Sequence, residues 1–203
     1  MVDSKLDAMY QSPADKQERY DQWADSYESD LVEQLGYVAH IEVVARFCER
    51  VSDRNAAILD MGCGTGLVGD ALRQEGYSSV DGADFSIEML TIARERNVYD
   101  QIYQYDAITD QPQLRTYDAI VSVGLFGFGP PHVKHLNNVL KYLQPGGSAF
   151  VTMNGKAWVE KSIESELQSI AADLSASLLD IQTIDYITKE NIDGRLLEFR
   201  GNP

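Results

Sequence analysis

The chemistry readable in this chain begins with two acids and a set of close glycines. In AAILDMGCGTGLVG, Ala56 to Gly69, an apolar run ends in Asp60, and Gly62, Gly64 and Gly66 follow at alternate positions. Glycine has no Cβ, so such a turn can take positive φ and let a ligand approach the backbone. The spacing of Leu67, Val68, Ala71 and Leu72 predicts a helix directly behind the turn, whose free N–H groups would face that ligand. Cys63, between two of the glycines, is placed for backbone geometry rather than for nucleophilic attack.

Glycine spacing does not by itself choose the ligand, because GTGLVG, Gly64 to Gly69, also fits the dinucleotide pattern. The acids discriminate. Asp60 stands two residues before Gly62, where a carboxylate would repel a pyrophosphate, and Asp84 ends the segment SVDGAD, where an acid can accept hydrogen bonds from a ribose. An adenosyl ligand carrying a sulfonium and an ammonium satisfies both positions. Met89, one turn into the helix predicted over Ile87 to Arg96 with Ser86 as its N-cap, would reach an adenine.

Other candidates are less constrained. Tyr20, Trp23 and Tyr27 recur on one helix face, as core aromatics often do, and Tyr37 is a candidate cofactor or substrate contact. His40 and His132 are candidate general bases, needed only if the acceptor must lose a proton. His132 and His135 lack a carboxylate pattern for a metal site, so no metal is expected. Leu125, Phe126 and Phe128 should form an apolar wall beside the acceptor.

The elements that must position these residues alternate. Strands are predicted at Ala57 to Asp60, Ser79 to Asp84, Ile102 to Tyr105, Tyr117 to Gly124, Ser148 to Met153, Ser177 to Tyr186 and Leu196 to Phe199, the last two joined by a turn at Asp193-Gly194. Helices are expected from Lys16 to Val51 with a break at Gly36, from His132 to Leu143 and from Val159 to Leu174. Pro130-Pro131 reads as a helix entry. Alternation of this kind implies an α/β doubly wound sheet with ligands at the carboxyl ends of the strands. The organisation expected is one domain over 1–203, with a loose terminus at 1–15, a helical segment at 16–51 and a core at 56–199.

Composition narrows the partners. The formal charge of −15 opposes nucleic acid, whose binding rests on phosphate neutralisation by Lys and Arg. Cys48 and Cys63 form no metal or disulfide framework. No apolar run approaches the ~20 residues that span a bilayer, so a cytoplasmic protein without membrane contacts is expected, as monomer or homodimer.

The motifs LDMGCGTGLVGDAL, DGADFSIEMLTIAR, YDAIVSVG and LQPGG, with YDQWADSYESD and QLGYVAH before them, resemble the class I S-adenosylmethionine-dependent methyltransferases. Among small members the resemblance is nearest to the methyltransferase-like 27 type, and it runs from about Tyr20 to about Phe199. It implies a Rossmann-like fold of strand order 3-2-1-4-5-7-6 with the last strand antiparallel, helices on both faces and an N-terminal helical lid built from YDQWADSY. It also implies cofactor contacts at Phe85 and Val123 and, next to an adenine amino group, at Asp106 and Ala107. The family often has proline where His40 stands. Members that methylate nucleobase amines carry D/N-P-P-Y/F after the fourth strand, where this chain reads SVGL. A small-molecule O, N or S acceptor is therefore expected. Two rivals stand beside this reading: an NAD(P)-dependent oxidoreductase, supported by GTGLVG alone, and a non-catalytic module that binds the adenosyl cofactor.

Overall fold

The structure, a computed structural model, describes residues 16–109, 114–127, 131–160 and 162–203. The expected loose terminus, Phe128 and Pro130 lie outside these residues.

Strands β1 (Ala57–Met61), β2 (Ser79–Asp84), β3 (Ile102–Gln104), β4 (Tyr117–Phe126), β5 (Leu143–Asn154), β6 (Ala176–Ile187) and β7 (Ile192–Gly201) form one sheet. Its order is β3-β2-β1-β4-β5-β7-β6, as the resemblance implies. Neighbours among β1 to β5 run parallel, and β7 runs antiparallel to both β5 and β6. A parallel sheet is covered on both faces, so successive residues of one strand enter different cores. Ile58 packs with Val80, Val121 and Phe47 on one face, while Leu59 packs with Ile120, Val151 and Phe199 on the other.

The first helical stretch is divided. Helix α1 (Lys16–Trp23), a 3-10 turn (Ala24–Ser26) and a π turn (Ser29–Gln34) end at Gly36, and α2 (Ala39–Arg50) follows. The break falls at the expected residue because Gly36 has φ +71 and a Cβ there would stand 2.5 Å from Thr188 Oγ1. Helices α3 (Leu67–Gln74) and α4 (Ile87–Arg96) sit where sequence places them, and Ser86 Oγ caps α4 by accepting from Met89 N at 3.2 Å.

Three expectations are corrected. Asp193 and Gly194 lie inside the β6–β7 ladder, and the chain reverses at Thr188–Glu190 with Asn191 at φ +52. Gly194 serves close packing instead of a turn, since a Cβ there would meet the Tyr186 ring at 2.5 Å. The helix expected from His132 to Leu143 is a 3-10 turn (Val133–His135) and a short α5 (Asn137–Leu140), because Leu143 pairs with Tyr117 in the sheet. The stretch expected as one helix from Val159 is α6 (Gly155–Glu160) and α7 (Ile163–Ile170), parted at Ser162 with φ +51.

Candidate active site

Strand β1 delivers the glycine loop to the carboxyl edge of the sheet, and β2 delivers Asp84 beside it. The Gly62 and Cys63 amides donate to Ala83 O at 2.7 and 3.0 Å. Gly64 N donates to Asp84 Oδ2 at 3.0 Å and Ser86 N donates to Asp84 Oδ1 at 3.0 Å, so loop and acid fix each other. Gly64 has φ +53, and nothing lies within 4 Å of the position a Cβ would take. The backbone there opens onto free space.

That space is a cleft of about 390 Å³, open solvent included, lined by Tyr20, Tyr27, Gly62, Gly64, Asp84, Phe85, Met89, Val123, Gly124 and Leu125. The first eight are sequence-predicted contacts from four separate stretches, and Tyr20 meets Phe85 edge-on at 5.7 Å between ring centres. The described lining contains an acid, six aromatic or apolar side chains, and no described lysine or arginine. Such a surface suits an uncharged or cationic ligand better than a pyrophosphate.

Asp60 does not line the cleft. It lies fully buried, where Tyr99 Oη donates to its Oδ2 at 2.5 Å and its Oδ1 has no hydrogen-bond partner among the described residues. Burial pushes the Asp60 carboxyl up to about 7, opposed by the Tyr99 bond and reinforced by the charge of Asp84. Thr65 Oγ1, in the same loop, is likewise buried without a partner. Burial raises the Cys63 thiol well above its usual range, which agrees with a structural role for that residue. Gly66 packs against Arg96, whose Nε donates to Thr65 O at 3.0 Å.

With this geometry the comparisons converge. Residues 58–147 match the model of a methyltransferase domain. The human methyltransferase-like protein 27 is 31% identical over 144 residues, 68% of this chain and 58% of that protein. The chain belongs to the class I methyltransferase family. A malonyl-[acyl-carrier protein] O-methyltransferase of Halalkalibacterium halodurans is 29% identical over 159 residues, 72% of this chain and 57% of the relative, so the chain spans a little over half the length of these two curated relatives. A TehB-like SAM-dependent methyltransferase of Corynebacterium glutamicum shares the fold, with TM-score 0.67 at 19% identity over 91% of this chain and 99% of that one.

The cleft leaves several predicted residues outside its lining. Tyr37 is buried, stacked on the His40 ring at 5.5 Å and edge-on to Tyr186 at 5.5 Å. His40 is buried, its Nδ1 lacks a partner, and burial lowers its pKa. His132 is exposed and caps the 3-10 turn before α5, its amide donating to His135 Nδ1 at 3.0 Å. Asp106 accepts from Ile108 N at 2.9 Å in a local turn, and the buried Ala107 accepts from Asn138 Nδ2 at 2.8 Å. Phe126 corrects the expected apolar wall: β4 continues to this residue, and its side chain is buried in the core instead of lining the cleft.

Residues missed by sequence reasoning hold the cleft together from a distance. Asp21 Oδ1 accepts from Ser86 Oγ at 2.5 Å, and Glu28 pairs with Arg96, tying the N-terminal segment to α4. Asp30, nearly fully buried, accepts from Trp23 Nε1 at 2.8 Å, Ser26 Oγ at 3.0 Å and Gln34 Nε2 at 2.8 Å. Trp23, Ser26 and Gln34 at −7, −4 and +4 from Asp30 were the local signal that could have found this hub.

Proposed function

We propose that this chain is an S-adenosylmethionine-dependent methyltransferase acting on a small-molecule O, N or S nucleophile. The observation that carries the reading is the cleft at Gly64, where backbone open to space stands beside a buried acid and beneath aromatic rings. Asp84, held in place by Gly64 N and Ser86 N, would accept the ribose hydroxyls, while Met89 and Phe85 would flank the base. No described lysine or arginine lines the cleft, and an acid stands beside the glycine loop, which supports an adenosyl ligand over a pyrophosphate.

S-adenosylmethionine, when bound, supplies a methyl group already activated by a positive sulfur. The chain's own residues would then orient and desolvate. Leu125 would hold the acceptor from the end of β4, and Tyr20 and Tyr27 would close the cleft from the N-terminal segment, which acts as a lid. Such alignment can contribute on the order of 7–11 kcal/mol. Neither His40 nor His132 lines the cleft, so the reading assigns no general base and favours acceptors that attack without one.

The test is single-turnover transfer from methyl-labelled cofactor into a cell extract fractionated into metabolites, RNA and protein. Label in a metabolite fraction is expected. Label confined to RNA or protein would end the small-molecule assignment, and tight cofactor binding without transfer to any fraction would favour a non-catalytic binder.

A further inference from the structure

Helix α4 holds the N-terminal segment at both of its ends. At the first end, Ser86 bonds to three parts of the molecule. Its hydroxyl donates to Asp21 Oδ1 at 2.5 Å, the same oxygen accepts from Met89 N at 3.2 Å to cap the helix, and its amide donates to Asp84 Oδ1 at 3.0 Å. A hydroxyl has one proton and two lone pairs, so both side-chain bonds coexist. At the last residue of α4, Arg96 Nε donates to Thr65 O in the glycine loop at 3.0 Å, while its guanidinium pairs with Glu28 of the segment and reaches Asp70 in α3 at 3.6 Å.

Each end of α4 therefore grips the segment with one group and the wall of the cleft with another. Between these ties Tyr20 rests edge-on against Phe85, the residue that separates Asp84 from Ser86. The far end of the segment is anchored elsewhere: Thr188 N donates to Gly36 O at 3.0 Å and Lys189 N to Leu35 O at 3.2 Å, with Gly36 at φ +71. Residues 20–34 thus run between a fixed turn and α4, and their ties to α4 meet the side of the cleft formed by Asp84, Phe85 and Met89. A ligand shifts an open–closed equilibrium only through contacts that differ between the two states. Here those contacts gather where a ribose and a base would sit.

We propose that the nucleoside half of the ligand by itself seats the segment: adenosine, with neither sulfur nor amino acid, binds this cleft and draws residues 20–34 onto α4, with Asp21 acting as a positioning residue through Ser86. The inference rests on the adenosyl-sulfur reading of the cleft and deepens it, because it assigns closure to the ribose and base and leaves transfer to the sulfur-bearing half. A free nucleoside would then close the cleft without bringing a methyl group, and would compete with the methyl donor.

The experiment is hydrogen exchange of residues 20–34 without ligand, with adenosine at millimolar concentration and with saturating S-adenosylhomocysteine, alongside calorimetry of both ligands. In wild type, adenosine should slow exchange to within about twofold of the rate seen with S-adenosylhomocysteine. Asp21→Ala removes a hydrogen bond to a charged group, so protection by adenosine and affinity for it should fall together by at least about fivefold, because linkage between segment and ligand is reciprocal. Asp21→Asn keeps an acceptor oxygen for Ser86 Oγ and should recover most of that loss. Four results would each overturn the inference and leave the adenosyl-sulfur assignment standing: adenosine that binds without slowing exchange where S-adenosylhomocysteine slows it, adenosine that does not bind where S-adenosylhomocysteine does, Asp21→Ala with wild-type protection and affinity, or Asp21→Asn no better than Asp21→Ala. Wild-type protein that binds neither ligand overturns both.

Discussion

Two flanks of one cleft are built in opposite ways. At the carboxyl ends of β1 and β2, both acids are anchored: Asp84 accepts from two amides, Asp60 is held through one oxygen by Tyr99, and Gly64 opens the backbone to space. At the end of β4 the surface is Gly124 and Leu125. Behind Gly124, whose amide donates to Thr152 Oγ1 at 3.0 Å, a Cβ would stand 3.3 Å from Tyr37 Oη and 3.6 Å from Tyr186 Oη. The first flank prescribes directions and charge for a ligand. The second supplies volume, from residues of the N-terminal segment, β4, β5 and β6, and under the proposed reading would constrain an acceptor's shape more than its chemistry.

Substitutions on the two flanks should therefore separate binding from turnover. The largest effect is expected from Gly64→Val, which puts a β-branched side chain at φ +53 into the open space and should weaken cofactor binding by at least about a hundredfold. Asp84→Ala removes charge-assisted bonds worth roughly 1.5–3 kcal/mol each and should cost at least about tenfold in affinity by calorimetry. Normal binding by either variant would break the contrast at its stronger side.

Asp60→Asn should act in the other direction on stability. The folded-state pKa of Asp60 is raised to about 7 from 3.8, so the folded protein holds a proton that the unfolded chain has released between these values. Stability then declines as pH rises from about 4 to about 7, and the neutral amide escapes that loss. Denaturant titration of the ligand-free protein at pH 8 should show a gain on the order of 2 kcal/mol, with none at pH 3. Equal stability at both pH values would place a compensating charge beside Asp60.

On the acceptor flank, Leu125→Ala should raise KM for the acceptor several-fold and leave cofactor affinity within about twofold. Phe126→Ala is its control: a buried ring should cost about 3–5 kcal/mol of stability by denaturant titration, with no selective effect on the acceptor. The smallest effect concerns the lid. Hydrogen exchange in residues 20–34 should slow on adding S-adenosylhomocysteine, and Arg96→Ala, which releases Glu28, should reduce that protection a few-fold. Unchanged exchange would make Tyr20 and Tyr27 ordinary packing.

The same contrast explains what could be read in advance. Gly62, Gly64, Asp84 and Met89 were legible because a tight turn and a strand-end acid demand particular residue types at fixed spacing, and the strand order followed from the family resemblance. Tyr99 was invisible because its partners Gly69, Gly82 and Asp60 meet it only through folding. Phe126 was misplaced because β4 runs two residues past the expected end, which decides which side chains face the cleft. Asp193-Gly194 has the composition of a turn, yet pairing with Asp185 and Ile184 outweighs that local preference.

The central claim is that the glycine-loop flank recognises an adenosyl-sulfur ligand. Calorimetry of the wild-type protein with S-adenosylmethionine, S-adenosylhomocysteine and NAD, repeated with Asp84→Ala, tests it most directly. Binding of both adenosyl-sulfur ligands, silence from NAD and at least about a tenfold loss in the variant are predicted. Binding of NAD with no response to either adenosyl-sulfur ligand would contradict the account.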